Sequence, residues 1–268
     1  MKQTRNIALL VGLCGVLAVG LACGNSESAQ NAKRDEAWSK LQQAKQDLDA
    51  QRQKLADLNT QIAAAKAAAS EEKEPTEGAE AGPSVDDLQV QANKLQQQVS
   101  DQTDAFAKSL VDFINANPIE EGKQASEQQL GAIRMKSGED MLIAKEYIDK
   151  GGDYRRAIEI YQTAMKIDPD NPKLKEALES AEKMRYMTEE RFQNVQKGMT
   201  EDEVRQQIGQ VNLRNIRKYP EKGVVAWFYP KDGGGAAGVY FDKDKKSGEY
   251  RVYEAKFDAV KPQVETER

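Results

Sequence analysis

The sequence contains no histidine, only two cysteines and few aromatic residues, which make up 6% of the chain. Without histidine, catalytic triads with an imidazole base and most zinc sites are excluded. Charged residues make up 31% of the chain, a composition that argues against one large core and is typical of long solvated helices joined to smaller packed modules. Because the remaining residues form no catalytic constellation, we expect a protein that is not an enzyme and uses no cofactor or metal.

Acidic residues outnumber basic ones in the chain, 44 to 39. The formal net charge is −5 at pH 7, and it becomes more negative if Lys2 and Arg5 are removed with an N-terminal segment. Proteins that bind nucleic acid cluster positive charge against the phosphates. We therefore do not expect nucleic acid as a partner.

Both cysteines lie in an N-terminal segment with the features of a secretion signal. Lys2 and Arg5 give it a positive start, and residues 7–22 are uncharged and apolar. This apolar stretch is shorter than the about 20 residues that a membrane-spanning helix needs. We expect residues 1–22 to be a signal peptide that is absent from the mature chain, so Cys14 is lost with it.

Cys23 stands at the polar boundary of that segment, between the small residues Ala22 and Gly24. The pattern resembles the lipobox of bacterial lipoproteins, with Gly20 where the motif usually has leucine. The resemblance implies a lipid on Cys23, followed by a tether over residues 23–30, and this lipidation explains why the mature chain has no second cysteine for a disulfide. Glycine rather than aspartate after the cysteine favours the outer membrane, facing the periplasm. The alternative is that Cys23 is an incidental thiol that carries no lipid.

Two heptad rows dominate residues 31–117, where an acidic linker at 70–84 separates them. Leu41, Leu48, Leu55 and Ile62 recur every seven residues, and similar spacing resumes with Leu88, Ala92, Leu95, Val99, Phe106, Leu110 and Phe113. Such rows predict coiled-coil helices, whereas the prolines and glycines of the linker interrupt them. We favour an antiparallel hairpin over pairing between chains. The pair is either a spacer or partner-binding arm, or a helix pair that only stabilises itself.

Residues 126–186 contain a helix, a glycine turn and a second helix. The pattern is carried by Tyr147, Gly152, Tyr154, Ala157, Tyr161, Ala164 and Pro169. Pro169 is expected to end the second helix. It resembles one tetratricopeptide repeat with a following helix as its cap, although Gly151 adds a residue to the turn. The resemblance implies either a peptide-binding groove, with Tyr154 and Tyr161 as candidate contacts, or a plain helical packing module.

From residue 187 to 260 the chain changes to aromatic and β-branched residues. Thr200 with Glu203 predicts a capped helix that ends at Gly209, and strands are predicted at 213–219, 224–229, 236–241 and 250–257. Val195 to Gly209, followed by Trp227 and Tyr229, resembles the SmpA/OmlA family, which includes a lipoprotein of outer-membrane protein assembly. The resemblance implies two helices on a small antiparallel sheet. Residues 261–268 are expected to be a flexible tail.

Together these patterns predict a multidomain chain: an α-helical coiled-coil hairpin and helical repeat, followed by a small α+β domain. The favoured function is a lipid-anchored envelope adaptor or scaffold that binds envelope proteins, in outer-membrane assembly or maintenance. Candidate protein contacts are Tyr154, Tyr161, Trp227 and Tyr229. One alternative is a structural tether from membrane to wall. The other is a periplasmic inhibitor or ligand-sensing module, which exposure of aromatics among Tyr219, Trp227, Tyr229 and Tyr240 would support and burial of all four would weaken.

Overall fold

A computed structural model describes residues 25–71, 84–245 and 247–262. The predicted signal peptide, Cys23, most of the acidic linker and most of the tail lie outside the described residues. The helices in the described part are α1 (Asn25–Glu71), α2 (Val85–Ala116), α3 (Glu127–Gly151), α4 (Tyr154–Met165), α5 (Pro172–Arg185), α6 (Glu189–Phe192) and α7 (Glu201–Ile208). The strands are β1 (Ile216–Tyr219), β2 (Val224–Pro230), β3 (Ala236–Lys243) and β4 (Tyr250–Val260).

Helices α1 and α2 pack against each other in opposite directions. Trp38, early in α1, lies 5.7 Å from Phe113, late in α2, whereas Arg52 of α1 donates a hydrogen bond to Thr103 further back in α2. The heptad residues of both helices are buried in one shared cluster, apart from the half-buried Leu95. The pair is therefore an intramolecular hairpin, the arrangement that the sequence analysis favoured over pairing between chains.

Helix α3 lies along the base half of this hairpin, near the first residues of α1. It begins with a capping box, in which Ser126 accepts from the Gln129 backbone and Gln129 returns a contact to the Ser126 N–H. The Trp38 ring packs against Gly131, and a Cβ at that position would collide with the ring. Further along, the guanidinium of Arg52 donates to both carboxylate oxygens of Glu139, at 2.9 and 2.7 Å. The base half is thus a three-helix bundle.

The C-terminal half of α3 forms a second core with α4 and α5. Ala144, Ala157, Tyr161, Ala164 and Leu174 are buried in that core. The small alanines allow close helix crossing, and Tyr161 fills the remaining space. Ser137 of α3 donates to Asp168 at 2.7 Å, which holds the loop before α5 against α3.

The C-terminal part is a four-stranded antiparallel sheet in the order β1-β2-β3-β4, with α6 and α7 against one face. Alternate strand residues point to opposite faces, so Val225, Trp227 and Tyr229 share the inner face. Their cluster is completed by Phe192, Val204, Ile208, Val239, Phe241 and Val252. The architecture is therefore a helical region followed by a small α+β domain.

Several predicted boundaries were wrong. Residues 25–30, predicted as a tether, form the first turns of α1 because their small polar residues tolerate a helix. Helix α4 ends at Met165 rather than at Pro169, since the Ala164 carbonyl already accepts from Ile167 and Asp168. The first predicted strand starts at Ile216 because Asn212 caps a 3-10 turn over Leu213–Asn215.

Within the described ranges, no helix combines the length and apolar character that crossing a membrane requires.

Candidate binding surfaces

The four aromatic residues predicted to contact partners have different positions. Tyr161 and Trp227 are core residues, and Trp227 is 0% exposed. Trp227 packs against Phe241 with ring centroids 4.6 Å apart, and the Arg205 guanidinium of α7 covers its other side at 4.5 Å. Because their rings fill cores, the prediction that these two residues contact a partner is wrong for this structure.

Tyr154 and Tyr229 lie where the helical part meets the C-terminal domain. The Tyr154 hydroxyl accepts from the Gln210 backbone N–H at 3.2 Å, and the Tyr229 hydroxyl donates to the Gly209 carbonyl at 3.2 Å. Burial raises the pKa of both phenols above the ordinary value of 10. The Tyr154 hydroxyl thus joins the helical part to the C-terminal domain, whereas the Tyr229 hydroxyl forms its hydrogen bond within that domain. The buried Tyr229 ring, in particular, belongs to the core rather than to a free binding surface, contrary to the prediction.

A glycine tightens the same junction. Gly152 ends α3 with φ at +59°, in the left-handed region that favours glycine. The position a Cβ would take lies only 2.2 Å from the Val211 carbonyl oxygen. Asn212 also donates from its side-chain amide to the Gly152 carbonyl at 3.3 Å. The turn and the C-terminal domain are thus in direct backbone contact.

Arg191 of α6 lies at the back of this junction. Its guanidinium donates to the carbonyls of Tyr186 at 2.7 Å and Lys183 at 3.0 Å, at the C-terminal end of α5. A cation there is favourable because helix C-termini carry partial negative charge. Burial nevertheless lowers the pKa of Arg191, and its Nε has no hydrogen-bond partner among the described residues.

A cleft of about 380 Å³ opens between the two parts, beside Tyr154 and Tyr229. Its floor contains Met184, Met187 and Ile208, and its rim carries Arg155, Arg185 and Arg214. Asp153 is the only acidic residue in the described lining, and its carboxylate caps α4 by accepting from the Arg156 N–H at 3.1 Å. The cleft therefore combines an apolar floor with an excess of positive charge.

The outer face of the sheet carries a row of aromatic rings, which we call the outer aromatic row: Phe228, Tyr240 and Tyr253. Phe228 and Tyr240 meet edge to face at 6.0 Å, and Tyr240 lies 6.3 Å from Tyr253. Ala226 and Gly238 leave room beneath, because a Cβ on Gly238 would lie 3.1 Å from the Tyr240 ring. Tyr253 is 37% exposed, and Tyr219 at the sheet edge is 45% exposed. No described helix or strand covers this face.

The described ranges contain no cluster of three or more metal-ligating side chains. The glycine-rich segment after Asp232 joins β2 to β3 as a hairpin turn, in which the Lys231 N–H donates to the Gly235 carbonyl. It is not a phosphate loop before a helix.

No protein-family model, curated protein or solved structure matches the chain. The lipobox, tetratricopeptide and SmpA/OmlA resemblances therefore depend on the quoted sequence motifs alone.

Sequence reasoning missed the arginines of the cleft and two members of the outer aromatic row. Phe228 could have been predicted from the sequence, because strand alternation places it on the face opposite Trp227 and Tyr229. Arg185 and Arg214 are far apart in sequence, so only the packing of the two parts brings them to one cleft. Residues 207–220 around Arg214 contain no aspartate or glutamate, and this was the available signal.

Proposed function

We propose that this chain is a lipid-anchored envelope adaptor, held at the membrane through Cys23, that binds other envelope proteins with its C-terminal domain. The single observation that supports partner binding best is the outer aromatic row. Tyrosine and phenylalanine give a large contact area at low entropic cost and are enriched in protein interfaces. An uncovered row on a sheet therefore favours a partner with apolar side chains.

The architecture suits an adaptor. Helix α1 begins at Asn25, directly after the proposed lipid site, and packs through the Arg52–Glu139 ion pair onto α3. From α3, the contacts at Gly152 and Tyr154 continue to the C-terminal domain. A binding surface supported in this way is positioned relative to the anchor by packed elements rather than by a loose linker.

The finer assignments of the modules belong to the same proposal. A tetratricopeptide-like unit over α3–α5 is supported by the buried Ala157, Tyr161 and Ala164 at the helix crossing. An SmpA/OmlA-like domain is supported by the capped helix α7 packed on an antiparallel sheet. Under these assignments the chain acts in outer-membrane assembly or maintenance, from the periplasmic side of the outer membrane.

The anchor is tested by replacing Cys23 with alanine. We expect the Cys23→Ala protein to leave the membrane fraction or to accumulate as an unprocessed precursor, because no acyl chain then holds it. Cell fractionation with metabolic labelling by a fatty acid measures both effects. Unchanged membrane retention together with unchanged processing would reject the lipid anchor.

Partner binding is tested by placing a photo-cross-linking amino acid at Tyr253 in living cells. We expect a defined adduct with one or a few envelope proteins, which disappears when Phe228 and Tyr240 are changed to serine. The same probe at Leu142 on α3, which is 48% exposed against 37% for Tyr253, serves as the control. Adducts of equal pattern at both positions would remove the case for a binding face on the sheet.

A ligand-sensing module is the second candidate, and the cleft between the helical part and the C-terminal domain favours it. A volume of about 380 Å³ lies within the range of ligand pockets, which is about 300–1,000 Å³. A ligand there would touch both parts at once. Limited proteolysis with and without periplasmic extract would distinguish this candidate, since a sensed ligand protects the junction at residues 184–187.

A further inference from the structure

The charges of the cleft are unusual for this chain. Acidic residues outnumber basic ones, 44 to 39, yet the rim holds three arginines and one aspartate. Arg155 has a distant carboxylate neighbour in Glu159, with Nε and Oε1 3.9 Å apart. Arg185 and Arg214 have no ion pair among the described residues. The Arg185 guanidinium lies over the Tyr186 ring, 4.8 Å from its centroid, but no carboxylate offsets the repulsion between the like charges gathered here.

Arg191 adds a second, independent observation. Its guanidinium lies behind the wall of the cleft, because its acceptors Met184 and Tyr186 are lining residues. No carboxylate pairs with it in the described part of the chain, and burial disfavours its charged form. Arg191 is half-buried, and backbone carbonyls rather than a carboxylate compensate its charge, so an opposite charge brought close would stabilise it further. An anion in the cleft would supply that opposite charge.

The floor and the walls restrict the kind of anion. Met184, Met187 and Ile208 offer apolar surface next to the arginines, while Gln210, Asn212 and Asn215 offer amide groups. Guanidinium groups bind carboxylates through paired, nearly planar hydrogen bonds. Amides on the wall suit the backbone of an extended chain, and the methionines suit a neighbouring aliphatic side chain. A free inorganic anion would use only the arginines.

We propose that this cleft is a binding site for an extended acidic segment of a partner protein, with a glutamate or aspartate carboxylate between Arg185 and Arg214 and an aliphatic side chain against Met184 and Met187. The proposal rests on the proposed adaptor function, because it takes the ligand to be a protein. It adds a second contact, distinct from the outer aromatic row, and gives that contact its chemistry.

The test uses the full-length protein in detergent and a blocked hexapeptide of alternating glutamate and leucine. Isothermal titration calorimetry measures its affinity, and the same peptide with glutamine in place of glutamate is the ligand control. We expect the glutamate peptide to bind, and the glutamine peptide to bind about tenfold more weakly or not at all, a factor that corresponds to about 1.4 kcal/mol.

Two protein variants and a matched control locate the site. Arg185→Gln and Arg214→Gln should each weaken binding of the glutamate peptide about tenfold. Arg134→Gln removes the same charge from an exposed position on α3 and should leave the affinity unchanged. Circular dichroism melting curves establish that all three proteins fold. Equal affinity for both peptides, or equal effects of all three substitutions, would overturn the site.

Titrations with inorganic phosphate and with vesicles that contain an anionic lipid test whether other sources of negative charge bind the cleft. If phosphate or the vesicles bind with the same dependence on Arg185 and Arg214 while the peptide does not bind, the acidic-peptide assignment is wrong. Peptide binding in the absence of any Tyr253 adduct or Cys23 processing would support the cleft while rejecting the adaptor. The two proposals can therefore fail separately.

Discussion

Gly152 and Gly151 are adjacent glycines with opposite structural demands. Gly152 has positive φ and faces the Val211 carbonyl, whereas a Cβ on the helical Gly151 would meet no atom within 4 Å. The pair therefore offers a substitution and its control in neighbouring positions of one turn.

We expect Gly152→Ala to destabilise the contact between α3 and the C-terminal domain by roughly 2 kcal/mol or more, because alanine is strained at that φ and collides with backbone. Gly151→Ala should instead be neutral or stabilising by about 0.5–1 kcal/mol. Urea unfolding followed by Trp227 fluorescence in a Trp38→Phe background measures both. Equal effects of the two substitutions would contradict the close approach at Gly152.

Glu139 is the other residue whose surroundings allow a sharp prediction. Its side chain is 2% exposed and is paired with Arg52, and the hydrogen bond to Glu139 raises the pKa of Arg52. Removing the guanidinium leaves a buried carboxylate without its main partner, which costs about 3–5 kcal/mol for a fully buried pair and less here because Arg52 is partly exposed.

Arg52→Met should accordingly destabilise the helical part by about 2–3 kcal/mol. The double variant Arg52→Met/Glu139→Leu should lose less, since no buried charge is left without a partner. Urea titration of the helical circular dichroism signal gives both free energies of unfolding. If the double variant were less stable than Arg52→Met, an unpaired buried carboxylate could not be the cause of the loss in the single variant.

At the scale of elements, two helices share one type of N-terminal cap with different chemistry. Helix α7 pairs Thr200 with Glu203, and α3 pairs Ser126 with Gln129. The backbone N–H of Thr200 donates to the Glu203 carboxylate at 2.7 Å and holds its pKa below the ordinary value of 4.5. A lowered carboxylate pKa stabilises the folded state above the unfolded value and loses that effect as pH falls through the folded value.

The stability difference between the native protein and Glu203→Gln should therefore be largest near neutral pH and disappear as the pH falls well below 4.5. The reciprocal change Gln129→Glu should give the Ser126 cap the same pH dependence. Urea unfolding at a series of pH values, read from Trp227 for α7 and Trp38 for α3, measures the two effects. A difference that stays constant with pH would mean that the Glu203 charge does not stabilise the cap.

Some elements were predictable from sequence and others were not, for physical reasons. The rows from Leu41 to Ile62 and from Leu88 to Phe113 predicted two helices because heptad spacing is local, but they left open whether the helices pair within one chain. Alternation in the sequence does not assign the two faces of β4, because the register between β3 and β4 shifts between Tyr240 and Phe241. The cleft depends on contacts such as Tyr154 with Gln210, which are 56 residues apart and leave no periodic signal.

At the scale of the whole molecule, the hairpin has two unequal halves. Near Trp38 and Arg52 it is covered by α3, whereas beyond Arg52 the described residues of α1 pack mainly against α2. Two-stranded helix pairs protect their backbone less than bundles with a third helix.

We expect amides at 56–68 and 86–97 to exchange with deuterium faster than those at 38–50 and 103–113. Hydrogen–deuterium exchange measured by mass spectrometry on the full-length protein tests this order. Arg52→Met should reduce this difference in exchange rate, because it loosens the half of the hairpin that α3 covers. Uniform protection along α1 would indicate a further packing partner for the far half, such as a second copy of the chain.

The antiparallel course of α1 and α2 limits the distance between the proposed lipid anchor and the C-terminal domain. Helix α1 has 47 residues and therefore extends about 70 Å at 1.5 Å per residue, but α2 brings the chain back before α3 turns it outward again. Under the proposed anchoring, only the stretch of α1 before Trp38 sets how high the C-terminal domain stands above the bilayer. Removing one heptad there would lower the domain by about 10 Å, whereas removing matched heptads beyond Arg52 would shorten the hairpin and leave that height unchanged.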